Sequence, residues 1–226
     1  MKIMMISDLH YSTKIFHGKN ESKVFNWLYN IIEKEKPDLL LCAGDFGKEV
    51  TLEMFQPIIN QTHLLTIHGN HENIELIKNI KNKDGSYCWL QDGIIREYDR
   101  LKIAGINGNI AMKKRKIYHK TIEEVEEIIL KYSKINKIDI LITHEAPKHK
   151  LISYNGKFLG YEIFNKAIEI LKPKLYICGH VHLNSQIIKI NNTILLNLDS
   201  SIERKEYAIA KYEKGEIYNI NIFKAS

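Results

Sequence analysis

A chain of 226 residues is long for one domain and short for two, so a single compact domain over 1–226 is expected. Its 44% apolar and 27% charged residues are those of an ordinary soluble globular protein. The net charge of +6 favours phosphorylated ligands and also suits nucleic acid, although a Lys-, Ile- and Glu-rich composition bias accounts for a charge of this size.

Cys42, Cys88 and Cys178 form an odd set without close spacing, which argues against a disulfide framework or a cysteine-based zinc site. The apolar N-terminal run is too short for a signal peptide, and no segment approaches a bilayer span. A cytoplasmic protein with no membrane partner is therefore expected.

In chain order, continuous apolar runs at 2–6, 38–42, 63–67, 138–143 and 174–178 read as strands covered on both faces. Helical patterns lie between them at 21–36, 50–60, 72–81, 121–134 and 161–171, the first stopped by Pro37. Thr121 followed by Glu124 predicts a capping box, with Val125, Ile128 and Ile129 as the apolar stripe. Hairpins follow: 186–190 with 193–198 around Asn191-Asn192, and 206–213 with 217–223 around Lys214-Gly215. Strand–helix alternation followed by hairpins predicts an α/β layered sandwich.

The chemistry-bearing residues fall where the predicted strands end. They are Asp8 and His10, then Asp45, then Asn70, His71 and Glu72, then His144, and finally His180 and His182. Loops at the carboxyl ends of strands converge on one crevice in α/β sheets. The donor set is Asp, Asn and His without cysteine, which suits Mn, Fe, Co, Ni or Zn rather than Mg or Ca alone. It exceeds the needs of one tetrahedral ion, and two ions about 3.5–4 Å apart would use it if one carboxylate bridged. His180 and His182 would point to opposite faces of a straight strand, so a bend after Gly179 is expected.

The order Asp-x-His, Gly-Asp, Gly-Asn-His-Glu, His and Gly-His-x-His, from residue 8 to residue 182, resembles the calcineurin-like metallophosphoesterase superfamily. The segment from Thr143 onward is similar to a compact branch of stand-alone phosphoesterases related to cyclic-nucleotide phosphodiesterases. The resemblance implies a four-layer αββα sandwich, two mixed sheets flanked by helices. It implies a dinuclear hydrolase of phosphodiesters or phosphomonoesters, acting on a phosphorylated small molecule or nucleotide. Asp8, His10 and His182 would hold one ion, Asn70, His144 and His180 the other, and Asp45 would bridge. Water between the ions would be the nucleophile, and His71 would stabilise or protonate the departing oxygen, with Glu72 orienting His71.

Two departures from the family pattern stand out. Glu72 replaces a frequent Asp, and Asn197-Leu198-Asp199-Ser200 and Gly160-Tyr161 stand where Asn-Pro-Gly-Ser and Gly-Ser are usual. These bear on pocket and loop shape. Tyr11, Asn107, Asn109 and His149 are the substrate-contact candidates, while His63 and His68 read as structural. His17 lies in a loop after a ligand segment and is set aside. Lys113-Lys114-Arg115-Lys116 reads as a solvated basic loop, with a phosphate-backbone patch as its alternative. A nuclease using the same site is the alternative enzyme. A metal-free binding scaffold is opposed by all seven ligand positions being filled.

Overall fold

The computed structural model describes residues 1–15, 20–135 and 137–225, so His17 lies outside the described residues. The first half alternates strand and helix: β1 (Lys2–Ile6), α1 (Val24–Glu35), β2 (Leu39–Cys42), α2 (Leu52–Gln61), β3 (His63–Thr66) and α3 (Ile74–Asn79). Asn20 caps the short 3-10 turn that leads into α1, and Lys36, left-handed at φ 48°, ends it one residue before Pro37. Then come β4 (Arg96–Tyr98), β5 (Leu101–Ile106), the two-residue strands β6 (Asn109–Ile110) and β7 (His119–Lys120), and α4 (Ile122–Ser133). The capping box forms as expected: the Thr121 hydroxyl accepts from Glu124 N, and the Glu124 carboxylate from Thr121 N.

The remainder is β8 (Ile140–Thr143), a small hairpin of β9 (Ser153–Tyr154) and β10 (Lys157–Phe158), α5 (Glu162–Leu171) and β11 (Leu175–Cys178). Two longer hairpins follow, β12 (Gln186–Ile190) with β13 (Thr193–Asn197) and β14 (Glu206–Glu213) with β15 (Glu216–Lys224).

Two mixed sheets result, ordered β15-β14-β1-β2-β3 and β12-β13-β11-β8-β5-β4. Within them β1, β2 and β3 run parallel, as do β5, β8, β11 and β13. Side chains on each parallel strand alternate between two apolar layers. Ile3, Met5, Leu39 and Leu41 face Ile140, Ile142, Leu175 and Ile177 between the sheets. Met4, Ile6, Leu40 and Cys42 pack instead under Phe25, Leu28, Phe55 and Ile58 of α1 and α2. On the far side Leu141 and Tyr176 pack under Val125, Ile129, Phe164 and Ile168 of α4 and α5. This is the expected αββα sandwich. Cys42, Cys88 and Cys178 are free, buried thiols. Among the described residues no helix is long and apolar enough to cross a membrane.

The β4–β5 hairpin has no counterpart among the expected elements. Its turn residues Asp99 and Arg100 are both left-handed (φ 45° and 69°), the geometry of a tight hairpin turn, without the Asn-Gly or Asp-Gly that normally announces one.

Candidate metal centre

The loops that follow β1, β2, β3, β8 and β11 meet at one edge of the sandwich and are laced together through their backbones. Asp8 N donates to Gly44 O (3.0 Å), His10 N to Asp45 O (2.9 Å) and Gly179 N to His144 O (3.0 Å). Asp8, His10, Asp45, His180 and His182 all take left-handed backbone angles, at φ 60°, 53°, 60°, 67° and 28°. Such angles are uncommon outside glycine and concentrate where the surrounding structure imposes them. The pair around Val181 supplies the bend expected after Gly179. His180 Nδ1 thereby lies 3.2 Å from His144 Nε2, and His182 Nε2 lies 3.2 Å from His10 Nε2.

Two glycines are required by close approach. A Cβ on Gly179 would overlap Ser7 Oγ and Asp8 Oδ2, and one on Gly69 would overlap Asp45 Oδ1 and crowd the His144 ring.

Each buried carboxylate has one oxygen occupied and one left over. Asp8 Oδ2 accepts from Ser7 Oγ (2.6 Å) and His180 N (2.9 Å), and Asp45 Oδ1 accepts from His71 N (2.7 Å). Asp8 Oδ1 and Asp45 Oδ2 are buried without a hydrogen-bond partner. Asp45 Oδ2 lies 3.2 Å from His144 Nε2 and 3.9 Å from His10 Nε2. Ligand atoms of Asp8, His10 and His182 fall within 4.8 Å of one another, as do those of Asp8, Asp45 and His144. Asn70 Oδ1 adds a candidate ligand oxygen 3.2 Å from His144 Nε2. Unpartnered carboxylate oxygens among imidazoles, at metal-ligand spacing, fit one or more divalent cations.

The electrostatics agree. Burial, the largest single influence, opposes charge on Asp8, Asp45 and His144, yet nearby histidines outweigh it on the carboxyls, His10 foremost for Asp8 and His144 foremost for Asp45. Both carboxyls are held below their ordinary range, and Asp45 and Asp8 raise His144 to about 10. His180 is pushed down to about 4 by burial and then by the charge on His144, which leaves its imidazole neutral, the form that binds metal.

Two groups behind these residues fix the rings. His144 Nδ1 donates to Ala43 O (2.8 Å), and His182 Nδ1 donates to Asp199 Oδ2 (3.3 Å), so that each Nε2 faces the cluster. The hydrogen bond to Asp199 is also the leading reason the His182 pKa is raised. Glu145, buried behind His180, accepts from Ile110 N (2.6 Å) and Asn109 Nδ2 (3.4 Å). Neither Asp199 nor Glu145 was among the expected site residues. For Asp199 the missing signal was the parallel pairing of β13 with β11, which brings the end of β13 to the same edge.

The other expected residues divide. His71 is exposed at the surface, its ring 5.1 Å from that of His10, and partial desolvation by the surrounding loops lowers its pKa. Glu72 does not orient His71: its two oxygens accept from Asp45 N (2.7 Å) and Phe46 N (3.1 Å), which ties down the Asp45 loop. Asn107 is not available to a substrate. It is 1% exposed, its oxygen accepts from His68 N and Trp89 Nε1, and its amide donates to Leu90 O and Asp92 Oδ1. Asn109 is buried beside His180 (3.4 Å to Nε2). Tyr11, with His10, His71, His182, Lys48 and Arg204, walls a cleft of about 580 Å³. His149 stands outside that wall, its Nδ1 accepting Leu151 N within its own loop.

A two-sheet sandwich with an Asp/His cluster at its strand ends defines a metal-binding α/β protein. The chain belongs to the calcineurin-like phosphoesterase family, whose model matches residues 1–184. It is 25% identical over 207 residues, 87% of each chain, to an uncharacterized protein of Methanocaldococcus jannaschii. It is also similar in structure to the protein TT1561 of Thermus thermophilus (TM-score 0.68, 12% identity, 97% of both chains). An archaeal phosphodiesterase superimposes with TM-score 0.53 at 17% identity, over 99% of this chain and 100% of that one. At these identities the structural likenesses speak for the fold alone. The family and the Asp/His groups together support metal-dependent phosphoester hydrolysis in general.

Proposed function

We propose that this protein hydrolyses phosphodiesters or phosphomonoesters of small molecules or nucleotides with two divalent ions, drawn from Mn, Fe, Co, Ni and Zn. The observation that carries the reading is the pair of buried, unpartnered oxygens, Asp8 Oδ1 and Asp45 Oδ2, set among site histidines. Asp8, His10 and His182 would hold one ion, and Asn70, His144 and His180 would hold the other. Asp45, whose Oδ2 lies 3.2 Å from His144 Nε2 and 3.9 Å from His10 Nε2, would contribute to both. When bound, the ions supply charge neutralisation at the phosphoryl group and an activated water.

The chain does the rest. Ala43 O and Asp199 fix which imidazole nitrogen faces the centre. Glu72 holds the Asp45 loop in its left-handed turn. His71, exposed on the cleft wall with its backbone tied to Asp45, donates a hydrogen bond or proton to the departing oxygen.

The test is hydrolysis of a chromogenic phosphodiester and its monoester by metal-stripped protein refilled with each metal in turn. Metal-restored turnover is expected, and Asp45→Asn should lose metal and turnover together. Turnover that needs no metal, or an Asp45→Asn variant that keeps both, overturns the reading. His71→Ala should retain its metal and lose roughly 10²-fold or more on esters with poor leaving groups, and far less on good ones. Equal losses on both would remove His71 from its role.

A further inference from the structure

Among the described residues, the four most exposed large apolar side chains are Met112 (100%), Ile117 (71%), Ile15 (67%) and Tyr154 (65%). All four stand on loops at the edge that carries the metal centre. Ile15 follows the Asp8–His10 turn, Met112 and Ile117 lie between β6 and β7, and Tyr154 is in the β9–β10 hairpin after His144. The last two loops leave the ends of adjacent parallel strands, β5 and β8, and Ile110 N donates to Glu145 Oε2 (2.6 Å) where they diverge. Leu151 and Phe158 add two more exposed apolar side chains to the second loop.

The same loops concentrate the positive charge. Residues 111–120 contain Lys113, Lys114, Arg115, Lys116 and Lys120 and no acid, and residues 147–160 contain Lys148, Lys150 and Lys157 and no acid. These cations outnumber the net +6 of the whole chain, so the remainder is net negative. Lys114, Lys120 and Lys148 are paired with Glu124, Asp92 and Glu162. Lys113, Arg115, Lys116, Lys150 and Lys157 make no ion pair with a described residue.

A basic loop alone would suit any polyanion. Here strongly exposed apolar side chains are interleaved with the cations, and a hydrated phosphate backbone would leave them in water. An anionic bilayer surface meets both requirements: headgroup phosphates face the cations, and apolar tips enter the boundary with the acyl chains. We propose that this rim docks the protein on an anionic lipid surface, with the cleft facing the headgroups. The docking stands independently of the hydrolase reading. It departs from the sequence expectation of no membrane partner, which considered only spanning segments.

The experiment is co-sedimentation of the full chain with vesicles of phosphatidylcholine alone or mixed with phosphatidylserine, at low and high salt. Binding is expected to the mixed vesicles only, and to weaken with salt. Lys113→Glu/Arg115→Glu/Lys116→Glu should lose roughly 100-fold or more in affinity, from the worth of a basic residue near an anionic surface. Met112→Ser/Ile117→Ser, with charge unchanged, should also weaken binding several-fold. Circular dichroism would establish that the variants are folded, as expected for exposed loop positions. The proposal is overturned if the wild-type protein ignores phosphatidylserine vesicles, or if the serine variant binds as the wild type does. Binding to single-stranded RNA or duplex DNA without vesicle binding would overturn it in favour of nucleic acid.

Discussion

The Ala43 carbonyl and Asp199 each accept a hydrogen bond from the Nδ1–H of a site histidine, and in doing so decide which nitrogen is left for an ion. Asp199 is 2% exposed, and its other oxygen accepts from Ser201 N (3.1 Å), so its carboxylate is held from two sides. Removing such an outer partner typically weakens metal binding while leaving the ligands in place. Asp199→Asn is therefore expected to fold normally and to bind divalent metal roughly 10–100-fold less tightly, read by competition with a chelator. Unchanged affinity would show that the carboxylate is dispensable. Glu72 carries the complementary point. A carboxylate next to His71 in sequence is drawn away from it, because the Asp45 loop turns through φ 60° and presents two backbone N–H groups that burial leaves in need of an acceptor.

At the level of single elements, local rules account for most of what is seen. Pro37 stops α1, and the Thr121/Glu124 box starts α4. Thr121→Ala leaves an orphan N–H in the first turn of α4 and should cost about 1 kcal/mol, read as a lower urea midpoint at unchanged slope. The cap sits at the foot of the basic loop, since Glu124 also holds Lys114 at 2.6 Å. Its loss should therefore loosen residues 111–120 before it loosens the sheet. The short strands are a different matter. Pairs such as β6–β7 and β9–β10 are two residues long and exist because larger strands have already brought their ends together.

For the molecule as a whole, the strand ends collect two buried carboxylates, Asp8 and Asp45, whose charge is offset among the described residues by nearby imidazoles. An ion that binds the folded chain alone stabilises it by about 2.7 kcal/mol when present at a hundred times its dissociation constant. For a chain of this length that converts to a rise in Tm of roughly 5–10 °C, which should disappear on chelation and be absent in Asp45→Asn. Scanning calorimetry with and without chelator reads it directly. Which of these features were legible in the sequence follows a physical line. Strands buried on both faces show as unbroken apolar runs, a helix start shows in its cap, and polar residues at the ends of such runs mark the site, as Asp8, Asp45, His144 and His180 do. All of these are local, because they follow from backbone period and from the chemistry of adjacent residues. What only the tertiary structure decided was non-local. It paired β13 parallel to β11 and so brought Asp199 behind His182, turned Glu72 toward Asp45 rather than His71, and spent all of Asn107's hydrogen bonds inside the protein. Those outcomes depend on which buried N–H and C=O groups are left without partners once the sheets have packed, and a sequence does not display that before the chain folds.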